Sequence, residues 1–314
     1  MKEPIHVAIL DDYQHVALSM ADWPLLQGKA QLTVFNDHLS DKAGVIERLQ
    51  PFQIVCVMRE RTPLTKEILS ALPRLKLIVS TGQRNASIDI KAAEELGIEL
   101  KHTGYVMTGA PEMTWALLMA AARNIVEENI HFREGGWQKG MGIDLTGKTI
   151  GIIGLGNIGS KIAKYATAFD MKVIAWSENL TPEAAEKQGA SWVSKETLMR
   201  ESDFVTIHMV LSHRSRGIIT AADFDQMKPT AWFINTSRGP LVDEFALIDA
   251  IRTRKIAGAA LDVFDQEPLP KDHPFRTMEH VLITPHIGYV TENTYGVFYQ
   301  DTLEAILQWL SGQE

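Results

Sequence analysis

The sequence predicts two α/β domains, each built on a parallel sheet with helices on both faces. Short apolar segments alternate with helical patterns over the first hundred residues, and a second such series begins near residue 149. This alternation is typical of parallel sheets covered by helices. A glycine-rich turn, at residues 154–159, joins a strand to a helix at the start of the second series. The length of 314 residues also suits about two domains of ordinary size.

The first series is predicted to contain buried strands separated by helices. The strands are expected at Ile5–Leu10, Leu32–Phe35, Gln53–Val57, Leu75–Val79 and Ile98–Leu100. The helices are expected at Lys42–Leu49, Lys66–Leu72 and Asp89–Leu96. The first strand ends in Asp11-Asp12-Tyr13, without glycines, so this half has no phosphate-binding turn and is the expected place for a substrate.

The second series follows a long helical segment that runs from Thr108 to about Ile130, with Pro111 in its first turn. The apolar residues of this segment suit either a subunit interface or an intramolecular core; they are Met113, Trp115, Leu117, Leu118 and Met119. Strands are then expected at 149–153, Met171–Trp176, Phe204–His208, Ala231–Asn235, Ile256–Leu261 and Val281–Thr284. Helices are expected near Ala221–Met227, Glu244–Arg252 and Glu292–Leu310.

The turn between the strand at 149–153 and the next helix reads Gly154-Leu155-Gly156-Asn157-Ile158-Gly159. In a Gly-x-Gly-x-x-Gly turn, the first glycine allows a sharp bend, the second lets the backbone approach a pyrophosphate, and the third lets the helix pack closely on the strand. The N-terminus of that helix would then bind the phosphates. Because a second strand follows the helix at the expected distance, the motif predicts a dinucleotide site. A glycine-rich turn without a ligand is the alternative.

The composition, 45% hydrophobic and 22% charged, is typical of a globular protein without a membrane span. Residues 1–4 lead directly into the first strand and leave no room for a cleavable signal peptide. The only cysteine, Cys56, lies in an apolar strand, so a reducing, cytoplasmic location is expected. The net charge of −8 argues against nucleic-acid binding, and the ten histidines show no metal-ligand spacing, so no metal is predicted.

Reactive side chains follow three successive strands of the second domain. Arg238 follows the strand at 231–235, Asp262 and Glu267 follow the next strand, and His286 follows the last. Ligands of open α/β sheets bind at the carboxyl ends of the strands, so these side chains are expected near the nicotinamide. Arginine can bind a carboxylate through two hydrogen bonds, histidine can donate a proton near neutral pH, and glutamate can orient an imidazole. Each alone has an ordinary alternative, such as a salt bridge, an interior histidine or a turn carboxylate.

The ordered motifs around Gly154, Arg238, Glu267 and His286 make the chain similar to the D-isomer-specific 2-hydroxyacid dehydrogenase family. The resemblance implies a nucleotide domain, residues 101–287, inserted into a substrate domain, residues 1–100 plus 288–314, with the active site in the cleft between them. It implies that Arg238 binds the substrate carboxylate and polarises its carbonyl, and that His286 is the acid/base paired with Glu267. The implied cofactor-binding residues are Gly154, Gly156, Asn157, Ile158, Gly159, Ser177, Glu178, His208, Thr236, Ser237, Arg238, Asp262 and His286.

The position that binds the adenosine ribose departs from the family pattern. An acidic residue is expected about twenty residues after the glycine turn, but Ser177 stands there and Glu178 follows. Serine relaxes the rejection of a 2′-phosphate, whereas Glu178 would repel one, and the next cation in the sequence is Lys187. NAD is therefore the favoured cofactor, and NADP is not excluded.

The substrate is expected to be a small 2-keto or 2-hydroxy acid whose identity the sequence leaves open. The loop after the fourth strand would bind its carboxylate near Gln83 and Arg84, and Tyr289 would narrow the pocket. Arg59 and Arg61 follow the third strand and suit a second anionic group or, equally, a solvated charge cluster.

Two other functions stay open at this level. An NADH-sensing binding protein or co-regulator uses the same fold, but no basic arm or tail supports it. Formate or phosphite oxidation is disfavoured by the presence of both Glu267 and His286. The family resemblance further implies a homodimer formed through the nucleotide domain.

Overall fold

Two separate parallel sheets organise the chain in this computed structural model, which describes residues 4–313. Residues 1–3, expected to lead directly into the first strand, lie outside the described residues. The described chain divides into two compact units, residues 4–106 with 290–313, and residues 107–289. Within residues 4–313, none of the helices combines the length and apolar character that a membrane span requires.

Unit 1 contains a five-stranded sheet in the order β2-β1-β3-β4-β5. Its strands are β1 (Ile5–Ile9), β2 (Ala30–Val34), β3 (Ile54–Val57), β4 (Leu77–Ser80) and β5 (Glu99–His102), all parallel. Helices α1 (Lys42–Leu49), α2 (Lys66–Ser70) and α3 (Ile90–Glu95) connect them. This strand order places the topological switch point between β1 and β3, the position where such sheets bind ligands.

Helix starts in unit 1 follow from side-chain caps. Asp41, Thr65 and Asp89 each accept a hydrogen bond from the backbone N–H three residues later and so begin α1, α2 and α3. Such a cap supplies one of the partners that the first N–H groups of a helix lack. Asp89, predicted as the first residue of the third helix, is therefore its N-cap, and α3 begins at Ile90.

Unit 2 begins with two helices, α4 (Gly109–Ala122) and α5 (Ile125–Arg133). The sequence predicted one continuous segment through Ile130, and this was wrong. Asn124 has a left-handed backbone, with φ of 51°, and its side-chain amide donates to the Met141 carbonyl. Asparagine is among the few residues that adopt this conformation readily, so it ends α4 and reorients the chain.

The sheet of unit 2 has seven parallel strands in the order β12-β11-β10-β9-β6-β7-β8. They are β6 (Thr149–Ile153), β7 (Lys172–Trp176), β8 (Ser191–Trp192), β9 (Phe204–Ile207), β10 (Trp232–Asn235), β11 (Gly258–Leu261) and β12 (Val281–Ile283). The helices of this unit after α5 are α6 (Asn157–Ala168), α7 (Pro182–Glu186), α8 (Lys195–Glu201), α9 (Ala221–Phe224) and α10 (Glu244–Arg252). The elements α7, β8 and α8 were not predicted, and the order is that of a dinucleotide-binding α/β sheet.

The central strands of unit 2, β6, β9, β10 and β11, are nearly all apolar and buried, as expected for a sheet covered on both faces. The register pairs Asn235 with Leu261 and Leu261 with Ile283, so β10, β11 and β12 end side by side. Their C-terminal loops, which carry Arg238, Glu267 and His286, therefore begin at one edge of the sheet. The last helix, α11 (Glu292–Ser311), returns to unit 1 and packs against β4. The predicted fold class, two parallel α/β domains, is confirmed.

Candidate active site

The glycine turn lies between β6 and α6, as predicted. Gly154 has a φ of 94°, and a Cβ there would come within 2.7 Å of the His208 carbonyl oxygen. A Cβ on Gly159 would overlap the Gly154 carbonyl, so glycine at 159 lets α6 pack on the turn. Since β6 and β9 are neighbours, the contact between Gly154 and His208 marks the switch point of the sheet.

The residues around this turn fit a dinucleotide. No described atom lies within 4 Å of the position that a Cβ at Gly156 would take, so the backbone is open in front of α6. Asn157, Ile158 and Gly159 form the first turn of α6, whose N–H groups have no partner inside the helix. Both ring nitrogens of His208 are buried and find no hydrogen-bond partner among residues 4–313. Burial lowers the pKa of His208 to about 3, so its ring is neutral and able to bind a polar group.

The ribose position at the end of β7 has a neighbour that the sequence did not indicate. Ser177 is half-buried and Glu178 is exposed, as the residues that follow β7. The Arg214 guanidinium lies 4.0 Å from Glu178 Oε2, and both side chains are largely exposed. Arg214 belongs to the loop after β9, so counting along the sequence from Ser177 to the next cation missed it.

Arg238 lies in a turn that is fixed by side chains around it. The Asn235 amide donates to the Arg238 carbonyl (2.9 Å), and its oxygen accepts the Ser237 N–H (3.0 Å). The Ser237 hydroxyl donates to the Ile207 carbonyl at the end of β9 (2.8 Å), and the Thr236 hydroxyl bonds that of Thr114 in α4 (2.6 Å). The Arg238 guanidinium donates to the Ser237 carbonyl (2.7 Å), which holds it near the end of β10.

Glu267 and His286 form a hydrogen-bonded pair, with 2.5 Å between Glu267 Oε2 and His286 Nδ1. The other carboxylate oxygen, Oε1, accepts the Phe264 N–H (2.9 Å). The His286 ring also meets the Tyr289 ring edge-on, with 5.5 Å between centroids. With Nδ1 directed at the carboxylate, Nε2 is the ring nitrogen left to exchange a proton with a bound molecule.

Asp262 is buried beneath the turn that carries His286. Its Oδ1 accepts bonds from the Thr284 hydroxyl (2.6 Å) and the Ile287 N–H (2.9 Å), and its Oδ2 accepts the Gly288 N–H (2.7 Å). Burial raises the pKa of Asp262, and these three donors oppose that shift. His286 itself has a φ of 52°, so the carboxylate holds a left-handed turn in place.

The candidate substrate loop of unit 1 presents Gln83 and Arg84 at its exposed surface, directly after β4. Asn85 behind them is buried, and its amide nitrogen donates to the Arg59 carbonyl (2.6 Å) and the Ser80 hydroxyl (3.1 Å). The Gly82 N–H donates to Thr103 (2.8 Å). The loop therefore has a fixed backbone with two polar side chains projecting from it.

Arg59 and Arg61 have different environments within unit 1. The Arg59 guanidinium packs on Gly82, donates to the Thr81 carbonyl (2.9 Å) and lies 5.6 Å from the centre of the Tyr105 ring. Arg61 instead donates to the Asp11 carbonyl (2.8 Å) and lies 4.5 Å from the centre of the Tyr13 ring. Arg59 therefore packs on the candidate substrate loop, whereas Arg61 joins the ends of β1 and β3.

Comparison with known proteins shows which family the chain resembles. Residues 115–288 match the family described as D-isomer specific 2-hydroxyacid dehydrogenase, NAD binding domain. Glyoxylate reductase of Aeropyrum pernix is 40% identical over 238 residues, which cover 73% of this chain and 71% of the relative. D-3-phosphoglycerate dehydrogenase of Methanocaldococcus jannaschii is 36% identical, covering 87% of this chain and 52% of the relative.

A solved structure described as phosphoglycerate oxidoreductase from Vibrio cholerae o395 superposes with a TM-score of 0.94. It is 36% identical, and the match covers 98% of this chain and 99% of that one. The glycine turn and the open backbone at Gly156 are what a bound dinucleotide requires, and the unpartnered ring of His208 beside them is able to bind a polar group. The chain therefore belongs to the D-isomer specific 2-hydroxyacid dehydrogenase family of NAD-dependent oxidoreductases.

Proposed function

We propose that the protein interconverts a small 2-keto acid and its D-2-hydroxy acid, with His286 as the acid/base. The hydrogen bond between Glu267 and His286 carries this proposal. NAD, when bound, supplies or accepts the hydride at the substrate C2. The keto oxygen gains negative charge during reduction, and His286 Nε2 is the group that donates a proton to it. In the oxidation direction, the same nitrogen accepts the proton of the hydroxyl.

The roles of the neighbouring residues follow from their chemistry. Glu267 holds the imidazole in one orientation and stabilises the imidazolium. Arg238 binds the substrate carboxylate through its guanidinium and polarises the carbonyl. Thr236, Ser237, His208 and Asp262 hold the nicotinamide end of the cofactor, and the turn at 154–159 holds its pyrophosphate. Gln83 and Arg84 contribute donors to the substrate carboxylate.

The relatives named glyoxylate reductase and D-3-phosphoglycerate dehydrogenase define the substrate range to test. We expect NADH to be oxidised, measured as a fall in its near-ultraviolet absorbance, with at least one of glyoxylate, hydroxypyruvate, pyruvate or a bulkier 2-keto acid. A purified protein that binds NADH tightly but turns over none of these acids contradicts the proposal and favours an NADH sensor.

Cofactor choice is expected to depend on Ser177. In S177D, a carboxylate can bind the ribose 2′-hydroxyl and repels a 2′-phosphate, as in dinucleotide sites selective for NAD. We expect kcat/KM with NADPH to fall about 10- to 100-fold, with NADH activity retained. Comparing the NADPH kcat/KM of S177D with that of the S177D/R214Q double variant tests whether Arg214 offsets the charge of Glu178. Equal losses with both cofactors would contradict this assignment.

Arg59 is proposed to bind a second anionic group of the substrate. In R59Q, kcat/KM for dianionic 2-keto acids is expected to fall about tenfold more than that for glyoxylate, because a charge-assisted hydrogen bond is lost. R61Q is the control, since Arg61 joins Asp11 and Tyr13 and its loss should lower Tm without changing substrate preference. A uniform loss across all acids in R59Q would show that Arg59 only supports its loop.

We also propose a homodimer formed through unit 2. Leu117 and Leu118 of the predicted interface are buried within the unit, so they are core residues. Large apolar side chains on and after α5 are instead exposed; they are Ile125, Val126, Ile130, Phe132, Trp137 and Met141. Six exposed large apolar side chains within one short segment are typical of an interaction site.

Sedimentation velocity is expected to give twice the mass of a single chain, and F132K is expected to give the monomer. The Phe132 ring contacts the Trp137 ring, with 5.9 Å between centroids, so a lysine at 132 would place a charge in the proposed interface. F245K is the control, since Phe245 is 85% exposed on α10. A wild-type monomer, or an F132K dimer of unchanged stability, would exclude this interface.

A further inference from the structure

A second histidine–glutamate pair joins the loop that carries Glu267 to helix α10. Glu244, the first residue of α10, accepts a hydrogen bond at Oε1 from His273 Nε2 (3.0 Å) and at Oε2 from the Asp265 N–H (3.4 Å). Both Glu244 and His273 are largely buried. Because Asp265 and His273 flank Glu267 in the sequence, one carboxylate holds both ends of the segment that presents Glu267.

The hydrogen-bond partners of His273 indicate which of its ring nitrogens donates. Its Nδ1 accepts the Phe275 N–H (3.3 Å), so in this arrangement the ring proton lies on Nε2 and is donated to Glu244. Glutamate suits this position because each of its two oxygens can accept one of the two donors. A glutamine has one oxygen and an amide that only donates, so it can accept from both donors only by sharing that oxygen.

Other contacts of the loop are formed between its own residues. Phe275 is buried and its ring lies 6.4 Å from that of Phe264. The Arg276 guanidinium donates to the Leu269 and Pro270 carbonyls, at 2.7 and 2.8 Å. These contacts support the loop from within, whereas Glu244 attaches it to a helix.

The charges around the Asp265 carboxylate are mixed. Glu244 and Asp243 are its negative neighbours, and Arg216 and His273 lie on the other side of the balance. Burial, followed by the charge of Glu244, raises the pKa of Asp265, while Arg216 opposes that shift. The Glu244 and Asp265 carboxylates therefore repel each other, and the two hydrogen bonds that Glu244 accepts offset that repulsion.

We propose that Glu244 is a positioning residue of the reaction: through His273 and the Asp265 backbone, it holds the loop that presents Glu267 to His286. This inference rests on the proposed function, because it assumes that the Glu267–His286 pair transfers the proton. Glu244 acts only through that loop. Its loss is therefore expected to impair the proton-transfer step and to leave cofactor binding intact.

The test is a double-mutant cycle between E244Q and E267Q. We expect E244Q alone to lower kcat by about 10- to 100-fold, as small misplacements of a catalytic group do, with the NADH Kd and the substrate KM nearly unchanged. In an E267Q background, the same substitution is expected to cost less than about threefold, since the group it positions is already altered. H273A is expected to reproduce the loss, and H273Q, whose amide can still donate to Glu244, to restore part of it.

The control is E292Q, since Glu292 is likewise the first residue of a capped helix but is exposed and lies in α11. Its kcat is expected to equal that of the wild type. If E244Q lowers kcat by the same factor in the wild-type and E267Q backgrounds, or weakens NADH binding as much as it lowers kcat, this inference is wrong but the proposed function stands. An E267Q enzyme with wild-type turnover would overturn the proposed function and this inference with it. If E244Q does not fold, H273A takes its place in the cycle.

Discussion

Replacing His286 by asparagine is expected to lower kcat/KM for 2-keto acid reduction by about 10² to 10⁴-fold, the range that general acid catalysis contributes. Asparagine is the suitable substitution because position 286 has a φ of 52°, and asparagine tolerates that conformation better than alanine or glutamine. The amide can still contact Glu267 but cannot deliver a proton. Steady-state kinetics with NADH and the preferred acid measure the loss.

His280 supplies a matched control at the other end of β12. It has a φ of 62° and an exposed side chain, so H280N makes the same chemical change in the same backbone conformation. We expect H280N to keep wild-type kinetics and H286N to keep the wild-type NADH Kd. If H286N lowers kcat/KM by less than about threefold, the loss is too small for general acid catalysis, and His286 is not the proton donor.

The alternation of strands and helices and the glycine turn could be predicted because they depend on local patterns. Apolar runs, glycine spacing and the positions of capping residues are all readable along the chain, and α1 and α10 were predicted with the bounds that the structure has. The break between α4 and α5 was missed because it depends on one left-handed residue, Asn124. Nothing in the apolar periodicity marks that conformation, although asparagine permits it.

The parts of the site that escaped prediction are contacts between distant segments. Arg214 approaches Glu178 from another loop, and Glu244 reaches His273 from α10. A parallel sheet brings the ends of non-consecutive strands together, so such pairs follow from topology and not from spacing. By contrast, Glu267 and His286 follow adjacent strands, β11 and β12, and their pairing was expected from the family resemblance.

Asp262 illustrates a role that residue type alone does not indicate. The family resemblance assigns it to the cofactor, while the structure directs both of its oxygens at the turn that carries His286. A carboxylate has about four lone-pair positions, so binding the turn leaves acceptor capacity for a further donor. Whether or not it also contacts the cofactor, Asp262 supports the backbone turn of His286, the proposed acid/base.

Arg238 is the second residue whose loss should be severe. In R238Q, kcat/KM is expected to fall about 10³-fold, or about 4 kcal/mol of transition-state stabilisation, because the carboxylate contact and the polarisation of the carbonyl are both lost. The substrate KM should rise and kcat should fall, since one contact acts in the ground state and the other in the transition state. R238K is expected to recover only part of this, because an ammonium cannot bind a carboxylate through two parallel hydrogen bonds.

The environment of Arg238 makes a clean result possible. The Asn235 and Ser237 contacts that shape its turn use backbone atoms and other side chains, so the turn should survive the loss of the guanidinium. R252Q, at the exposed end of α10, controls for loss of a positive charge. If R238Q and R252Q both retain the wild-type substrate KM, a residue other than Arg238 binds the substrate carboxylate. Because Gln83 and Arg84 are the other proposed donors, the same assay of Q83A and R84Q would then show whether the candidate substrate loop of unit 1 supplies that contact.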